Sequence, residues 1–339
     1  MKKSIQRRDF LRSAAITGIG LGLTGMSPLL FAKSAQKKVR VGIIGLSVHT
    51  EAFSEMLNAE NTNADISGFT VVGIYHPKGN PDVEFKAESL ATWTENSKKR
   101  DIQIVDSVDK LIAMSDVMML ETNDGRPHLE QLMPVFKARK PVFIDKPIAA
   151  NLKEVIAILN EAKKYNVPIF SSSGLRYVSS AQEIRNGKVG QVLGGEAYSP
   201  ASLQADHTDM FWYGIHGVES LYTIMGGAGC QQVTRTHSEG TDVIVGTWDG
   251  GRIGVFRGLR SGAKGYGGTA FGEKGIATVG TFEGYRPLLV AIVQFFRSGK
   301  SPVSLDETLE IYAFMEAADE SKRLGGVPVT LASVLAKAR

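Results

Sequence analysis

The residues with the most chemistry to offer cluster around one histidine. His216 follows Phe211-Trp212-Tyr213-Gly214-Ile215, and an imidazole titrates close enough to neutral pH to take a proton and give it back. A lone histidine on a helix also serves structure, so residue type alone leaves both roles open. Tyr213 and Glu219 lie three residues either side, where a helix would put them on the ring's own face. The aromatic trio can stack on the apolar faces of sugar rings while the tyrosine hydroxyl hydrogen-bonds, or it can pack as core; a mixture is expected, with Trp212 or Tyr213 lining a pocket. Asp206-His207-x-Asp209 together with His216 and Glu219 offers oxygen and nitrogen ligands, but the spacing follows no zinc or calcium template, and no metal is expected. The single cysteine, Cys230, excludes an intramolecular disulfide and a cysteine-clustered zinc site.

Elements able to position such groups are visible along the chain. Short apolar runs at Val39 to Ile44, Thr70 to Tyr75, Ile102 to Val105, Val117 to Leu120, Val142 to Ile144 and Ile169 to Phe170 read as buried strands. Helical patterns separate them, the clearest being Leu152, Val155, Ile156, Leu159 and Ala162 behind a candidate N-cap, Asn151. This alternation predicts an α/β fold with a doubly wound parallel sheet whose strand ends make a ligand crevice. The first strand runs into Gly45-Leu46-Ser47-Val48-His49-Thr50, where a dinucleotide fold places G-x-G-x-x-G; only the first glycine is present. The second strand ends at Tyr75-His76-Pro77-Lys78 without a ribose-binding acid. His76 and Lys78 therefore either favour a 2′-phosphate or belong to a surface turn.

Thr122-Asn123, His128 opening a helix, and Pro141-Val142-Phe143-Ile144-Asp145-Lys146-Pro147 together resemble the glucose-fructose oxidoreductase / inositol dehydrogenase / MocA (Gfo/Idh/MocA) family, in which Glu-Lys-Pro follows the fifth strand. The likeness extends over the segment Tyr177 to Gly190, the Gly214-Ile215-His216 helix and the closing Val303 to Gly326 helix. It implies a dinucleotide-binding Rossmann domain at 36–172 and a substrate and oligomerisation domain at 173–339 built on a largely antiparallel open sheet. Patterns at Gly190 to Ser199, Cys230 to His237, Val243 to Trp248, Ile253 to Leu259 and Ala270 to Val279 agree with such a sheet, and helices at Leu288 to Arg297 and Leu305 to Leu324 are expected to cover or flank it.

By this resemblance Lys146 contacts the reacting hydroxyl beside the nicotinamide, and His216 exchanges the proton. Gly45, Ser47, His49, Thr50, His76, Thr122, Asn123, Asp145 and Lys146 become the candidate contacts for NADP or NAD. Arg176 and Tyr177 join Trp212 and Tyr213 as candidate substrate contacts. Many members write Asp-x-x-x-His, and Trp212 stands here in place of that carboxylate. Gly262 to Gly268 precedes a strand rather than a helix, so it reads as a flexible loop and not a phosphate cradle.

The formal charge of +4 comes from the chain's start: residues 1–35 carry six Lys/Arg against Asp9, and without them 33 basic residues face 34 acidic ones. Nucleic-acid binding thereby loses its compositional support. Those residues read as a signal peptide, with Arg7-Arg8-Asp9-Phe10-Leu11 resembling a twin-arginine export signal. Five glycine and proline residues interrupt the apolar run behind it, which argues against a stable membrane anchor. The expectation is an exported, periplasmic NAD(P)-dependent oxidoreductase acting on a sugar, polyol or derivative with a tightly held nucleotide, assembled as a homo-oligomer. Redox-neutral glycoside cleavage through transient oxidation, and a non-catalytic binding protein on the same scaffold, are the alternatives.

Overall fold

The computed structural model describes residues 37–339, which form one compact unit; the export-signal reading at residues 1–35 lies outside the described residues. The first half alternates strand and helix: β1 (Val39–Ile44), α1 (Val48–Asn58), β2 (Phe69–Tyr75), α2 (Ala87–Lys99), β3 (Gln103–Val105), α3 (Val108–Met114), β4 (Val117–Leu120), α4 (His128–Lys137), β5 (Val142–Ile144), α5 (Leu152–Lys164) and β6 (Ile169–Phe170). All neighbouring strands pair in parallel, in the order β3-β2-β1-β4-β5-β6. The chain reverses direction across the sheet between β1 and β4, and that switch point is where a doubly wound sheet opens its crevice.

Local sequence explains the helix starts. Ser47, Ser107 and Asn151 each accept a hydrogen bond from the backbone N–H three residues on, in α1, α3 and α5. The apolar stripe of α5 buries Leu152, Val155, Ile158 and Ala162; of the expected stripe, Ile156 and Leu159 are only partly buried at its margin.

The second half continues with α6 (Ser179–Arg185), β7 (Val192–Pro200), α7 (Asp209–Trp212), α8 (Ile215–Met225), β8 (Cys230–Ser238), β9 (Thr241–Trp248), β10 (Ile253–Leu259), β11 (Gly267–Gly272), β12 (Gly275–Val279), α9 (Arg286–Ser298), α10 (Leu305–Arg323), β13 (Val329–Thr330) and α11 (Leu331–Ala338). Its sheet runs β12-β11-β7-β10-β9-β8-β13 and is antiparallel throughout except where β7 and β10 pair in parallel. One buried helix, α8, covers the inner face: ten of its eleven residues are buried. A side chain at Gly217 would collide with Phe256 of β10, 2.1 Å from the added carbon, so glycine is what lets helix and sheet close.

Three expectations need correction. Ile102 to Val105 is not a buried strand: β3 spans Gln103–Val105 at the sheet's edge, with only β2 beside it, and leaves Gln103 and Ile104 exposed. Ala270 to Val279 is a hairpin, not one strand: Glu273 and Lys274 turn between Gly272 and Gly275, whose φ of +156° a side chain would resist. The helix expected over Leu288 to Arg297 also leaves the second sheet. As α9 it lays Leu288, Leu289, Ile292 and Phe295 on the first, against Phe53, Phe69, Phe143 and Phe170, because that sheet's outer face would otherwise expose its aromatics. The long helix α10 does cover the second sheet, over β8. Among the described residues, no helix is long and apolar enough to cross a membrane.

Candidate active site

Two adjoining cavities open at the carboxyl ends of the first sheet, and Asn123 lines both. The larger, about 420 Å³, lies over the ends of β1, β2 and β4, among Gly45, Tyr75, His76, Lys78, Thr122 and Asn123. Gly45 is obligatory here: its φ is +100°, and a Cβ would stand 2.4 Å from the Thr122 nitrogen. The other two positions of the glycine motif are filled differently. Ser47 is the N-cap of α1, and Thr50, fully buried, donates its hydroxyl to the Gly45 carbonyl. Thr50 therefore holds the turn's shape and does not line either cavity, contrary to its expected contact with the nucleotide.

The adenosine end also differs from expectation. Glu84 reaches back across the loop after β2, its Oε2 lying 3.9 Å from His76 Nε2, and a side chain at Gly79 would overlap that carboxylate. Burial holds His76 below the ordinary histidine range, with Glu84 opposing that shift only in part. The β2 end thus presents a carboxylate beside a neutral imidazole, although the residues that follow the strand directly are not acidic.

Arg126 ties the mouth of this cavity to the second half. It pairs with Asp124 at 2.9 Å, Asp82 at 3.0 Å and Asp206 at 2.9 Å, while His207 sits 3.4 Å from Asp124. The residues considered for metal binding are thereby dispersed: Asp206 and His207 join this clasp, and Asp209 pairs with Arg235 and Lys322.

The smaller cavity, about 260 Å³, brings together Ser47, His49, Asp145, Lys146, Tyr213 and His216, with Ser173, Tyr266, Phe282 and Tyr285 completing its wall. Lys146, in a cis peptide with Pro147, has its Nζ 3.9 Å from Asp145 Oδ2. Burial opposes the Asp145 charge, but His49 and Lys146 outweigh it and hold the carboxyl well below the usual range. His128 supports this corner from beneath, with ring nitrogens 2.9 Å from the Ile148 carbonyl and 3.0 Å from that of Thr122.

His216 is oriented by neither Glu219 nor a carboxylate. Its Nδ1 lies 2.7 Å from Ser173 Oγ, and the ring stands edge-on to Tyr213 at 4.8 Å. Glu219 acts one step back: it accepts from the Ser172 hydroxyl and the Ser173 backbone N–H, fixing the serine that fixes the imidazole. Burial, then the charges of Lys146 and His49, push the His216 pKa well below its ordinary value.

Three expected substrate contacts do not reach this cavity. Arg176 is 2% exposed and committed to Glu219 and Glu307, because a buried guanidinium needs both carboxylates. Tyr177 is pushed aside into the packing against α9's side of the core, with its hydroxyl unpartnered. Trp212 turns away to pack against His207, the two rings tilted with centroids 4.9 Å apart. Tyr213 does line the cavity, and its hydroxyl lies 2.9 Å from that of Tyr266. Tyr266 comes from the glycine-rich loop expected to be flexible or an arm; a lone aromatic within a run of glycines was the available signal. Tyr285 and Phe282 arrive just ahead of α9 and carried no signal in sequence.

Glu121 was likewise missed. It directly continues β4, is fully buried, and lies with His49 and Asp145 in a group whose ligand-type atoms are all within 4.8 Å of one another.

A dinucleotide fits this arrangement. The helix α1 start faces the smaller cavity, the glycine turn leaves room for close backbone approach, and a polar crevice runs from His76 and Glu84 past Asn123 to Lys146.

Residues 39–172 match the model of the Gfo/Idh/MocA oxidoreductase family, NAD-binding Rossmann fold. Among solved structures, a probable dehydrogenase from Thermotoga maritima is 21% identical with a TM-score of 0.70, covering 87% of this chain and 100% of its own. Scyllo-inositol dehydrogenase from Lactobacillus casei, with NAD(H) and scyllo-inositol bound, is 14% identical with a TM-score of 0.68, covering 87% and 100%. An oxidoreductase from Agrobacterium radiobacter in complex with NAD+, L-tartaric acid and magnesium is 13% identical with a TM-score of 0.67, covering 88% and 99%. These likenesses establish a shared fold across both halves. No curated protein matches the chain significantly in sequence.

Proposed function

With residues 39–172 belonging to the Gfo/Idh/MocA family of NAD-binding oxidoreductases, we propose that the protein oxidises a secondary alcohol of a polyol, sugar or sugar derivative, or reduces the matching ketone. The observation that carries this reading is the convergence of Lys146 and His216 on one small cavity, next to the crevice built on Gly45. When bound, the nucleotide supplies the hydride acceptor. Lys146 holds the substrate oxygen and stabilises its alkoxide character. His216, neutral because it is buried, takes the hydroxyl proton at Nε2 while Ser173 holds Nδ1. Tyr213, Tyr266 and Tyr285 give the cavity the mix of flat faces and hydroxyls that suits a polyhydroxylated ring. Screening polyols and aldoses for NADH formation tests the reading; a set of cyclic and linear polyols giving no turnover in either direction would count against it.

The nucleotide we favour is NAD. Glu84 supplies the carboxylate that the β2 end lacks, and its charge opposes a 2′-phosphate beside a neutral His76. Redox-neutral glycoside cleavage draws on the same residues, and the Tyr213–Tyr266 hydroxyl pair supports it by offering a second proton donor for a departing group. Release of free sugar from a glycoside without any external electron acceptor would select that reading.

Two further features belong to the proposal. The leader supports export by the twin-arginine route, which carries folded proteins and so suits a nucleotide kept in place. A second copy of the chain is the proposed partner. Ile276, Phe271, Gly194 and Ile253 stand in one row across β12, β11, β7 and β10, and the three large side chains are 69%, 42% and 43% exposed.

A further inference from the structure

We propose that His49, Glu121 and Asp145 form a binding site for one divalent transition-metal ion, zinc or manganese, under the wall of the smaller cavity. The three come from the carboxyl ends of adjacent strands: His49 from the first turn after β1, Glu121 from the residue after β4, Asp145 from the residue after β5. His49 Nδ1 lies 2.8 Å from Asp145 Oδ2 and 3.7 Å from Glu121 Oε2. Around a shared cation with metal–ligand bonds near 2.0–2.2 Å, the shorter separation would have to widen and the longer is already wide enough.

The independent observation is Glu121 itself. It is 0% exposed, and neither of its carboxylate oxygens has a hydrogen-bond partner; Asp145 Oδ1 has none either. The side chain cannot escape to water, because the Glu121 and Asp145 backbone N–H groups are bonded into the sheet, to the Ile44 carbonyl at 2.7 Å and the Leu120 carbonyl at 2.8 Å. A carboxyl buried with no hydrogen-bond partner is costly whether charged or protonated, and such groups are normally paired or bound to a metal. Lys146 reaches Asp145 at 3.9 Å, and among the described residues the one basic side chain within 4 Å of Glu121 is His49, which Asp145 holds more closely.

The donor set narrows the ligand. As metal ligands, two carboxylates and an imidazole match the charge of a divalent ion, and one nitrogen with two oxygens suits zinc or manganese better than calcium, which takes oxygen alone. Three protein ligands leave a coordination position open. His49 and Asp145 line the cavity while Glu121 lies behind them, so that position faces the cavity. This is the arrangement of a catalytic rather than a structural site. A cation there would share with Lys146 the polarising of a substrate oxygen, a role that rests on reading the cavity as the substrate's.

The test uses the full chain, stripped with a chelator that is then removed, and titrated calorimetrically with zinc chloride and manganese chloride, each with and without NAD+. Uptake of one equivalent of either ion per chain, weakened at least about tenfold in Glu121→Gln and in His49→Gln, is the expected result. Circular dichroism establishes that both variants are folded; where one is not, the other decides. Less than one-tenth of an equivalent bound, or equal affinity in the wild type and a folded variant, would overturn the proposal. Since metal uptake is read without nucleotide, NAD+ binding with no metal uptake removes this site and leaves the oxidoreductase reading standing, and the reverse result separates them the other way.

Discussion

Lys146 and His216 divide the chemistry, and each makes its own prediction. Lys146→Ala should lower kcat by a factor of about 10² to 10³, the usual loss when one charge-stabilising donor is removed, while NAD+ affinity changes little. Unchanged kcat would take the lysine out of the mechanism. For His216, burial disfavours the charged ring, so the folded protein holds it neutral at pH values where the unfolded chain would bind a proton. Two consequences share one sign. The acid limb of kcat/KM should fall below about pH 6.5, the ordinary histidine value, and vanish in His216→Asn. Stability should also decline as pH drops through that value, because the unfolded state then binds more protons than the native state. Denaturant titrations at stepped pH measure this, and a smaller decline in His216→Asn would assign it to this ring.

At the scale of the element, the turn from β1 into α1 sets the crevice. Gly45→Ala should cost at least about 2 kcal/mol, from strain at positive φ and collision with the β4 loop. Ser47→Ala should cost about 1 kcal/mol through loss of the N-cap, whereas Ser47→Gly should cost only a few tenths. Equal effects of Ser47→Ala and Ser47→Gly in urea melts would contradict the capping role.

These elements were readable in advance because each carries a local signal: apolar runs for β1 to β6, of which all but the edge strand β3 are largely buried, a helical stripe and Asn151 for α5, and a motif after β5 for Lys146. What escaped was set by distant partners. Nothing near Arg176 announces Glu307, 131 residues away, as the carboxylate that holds it out of the cavity. Ser173 and Tyr266 reach His216 from separate segments, and Glu84 meets His76 only once the intervening loop folds back. The destination of α9 was equally silent, since its stripe shows that one face is buried but not against which sheet.

For the molecule as a whole, the second sheet turns one face inward to α8 and leaves the other open. A row of large apolar side chains there predicts self-association, so Ile276→Glu combined with Ile253→Glu should shift the protein to a monomer in light scattering without altering its fold. A wild type that is already monomeric at micromolar concentration would remove the sheet face as an interface.

The roles of Lys146 and His216 both require a dinucleotide lying in the crevice between Gly45 and Lys146. The direct test is titration of the purified, folded protein with NADH and NADPH, followed by nucleotide fluorescence, together with analysis of any nucleotide released on denaturation. One NADH site per chain, tighter than for NADPH and competed by NAD+ or already filled as purified, is the predicted result. Neither binding nor released nucleotide would contradict it.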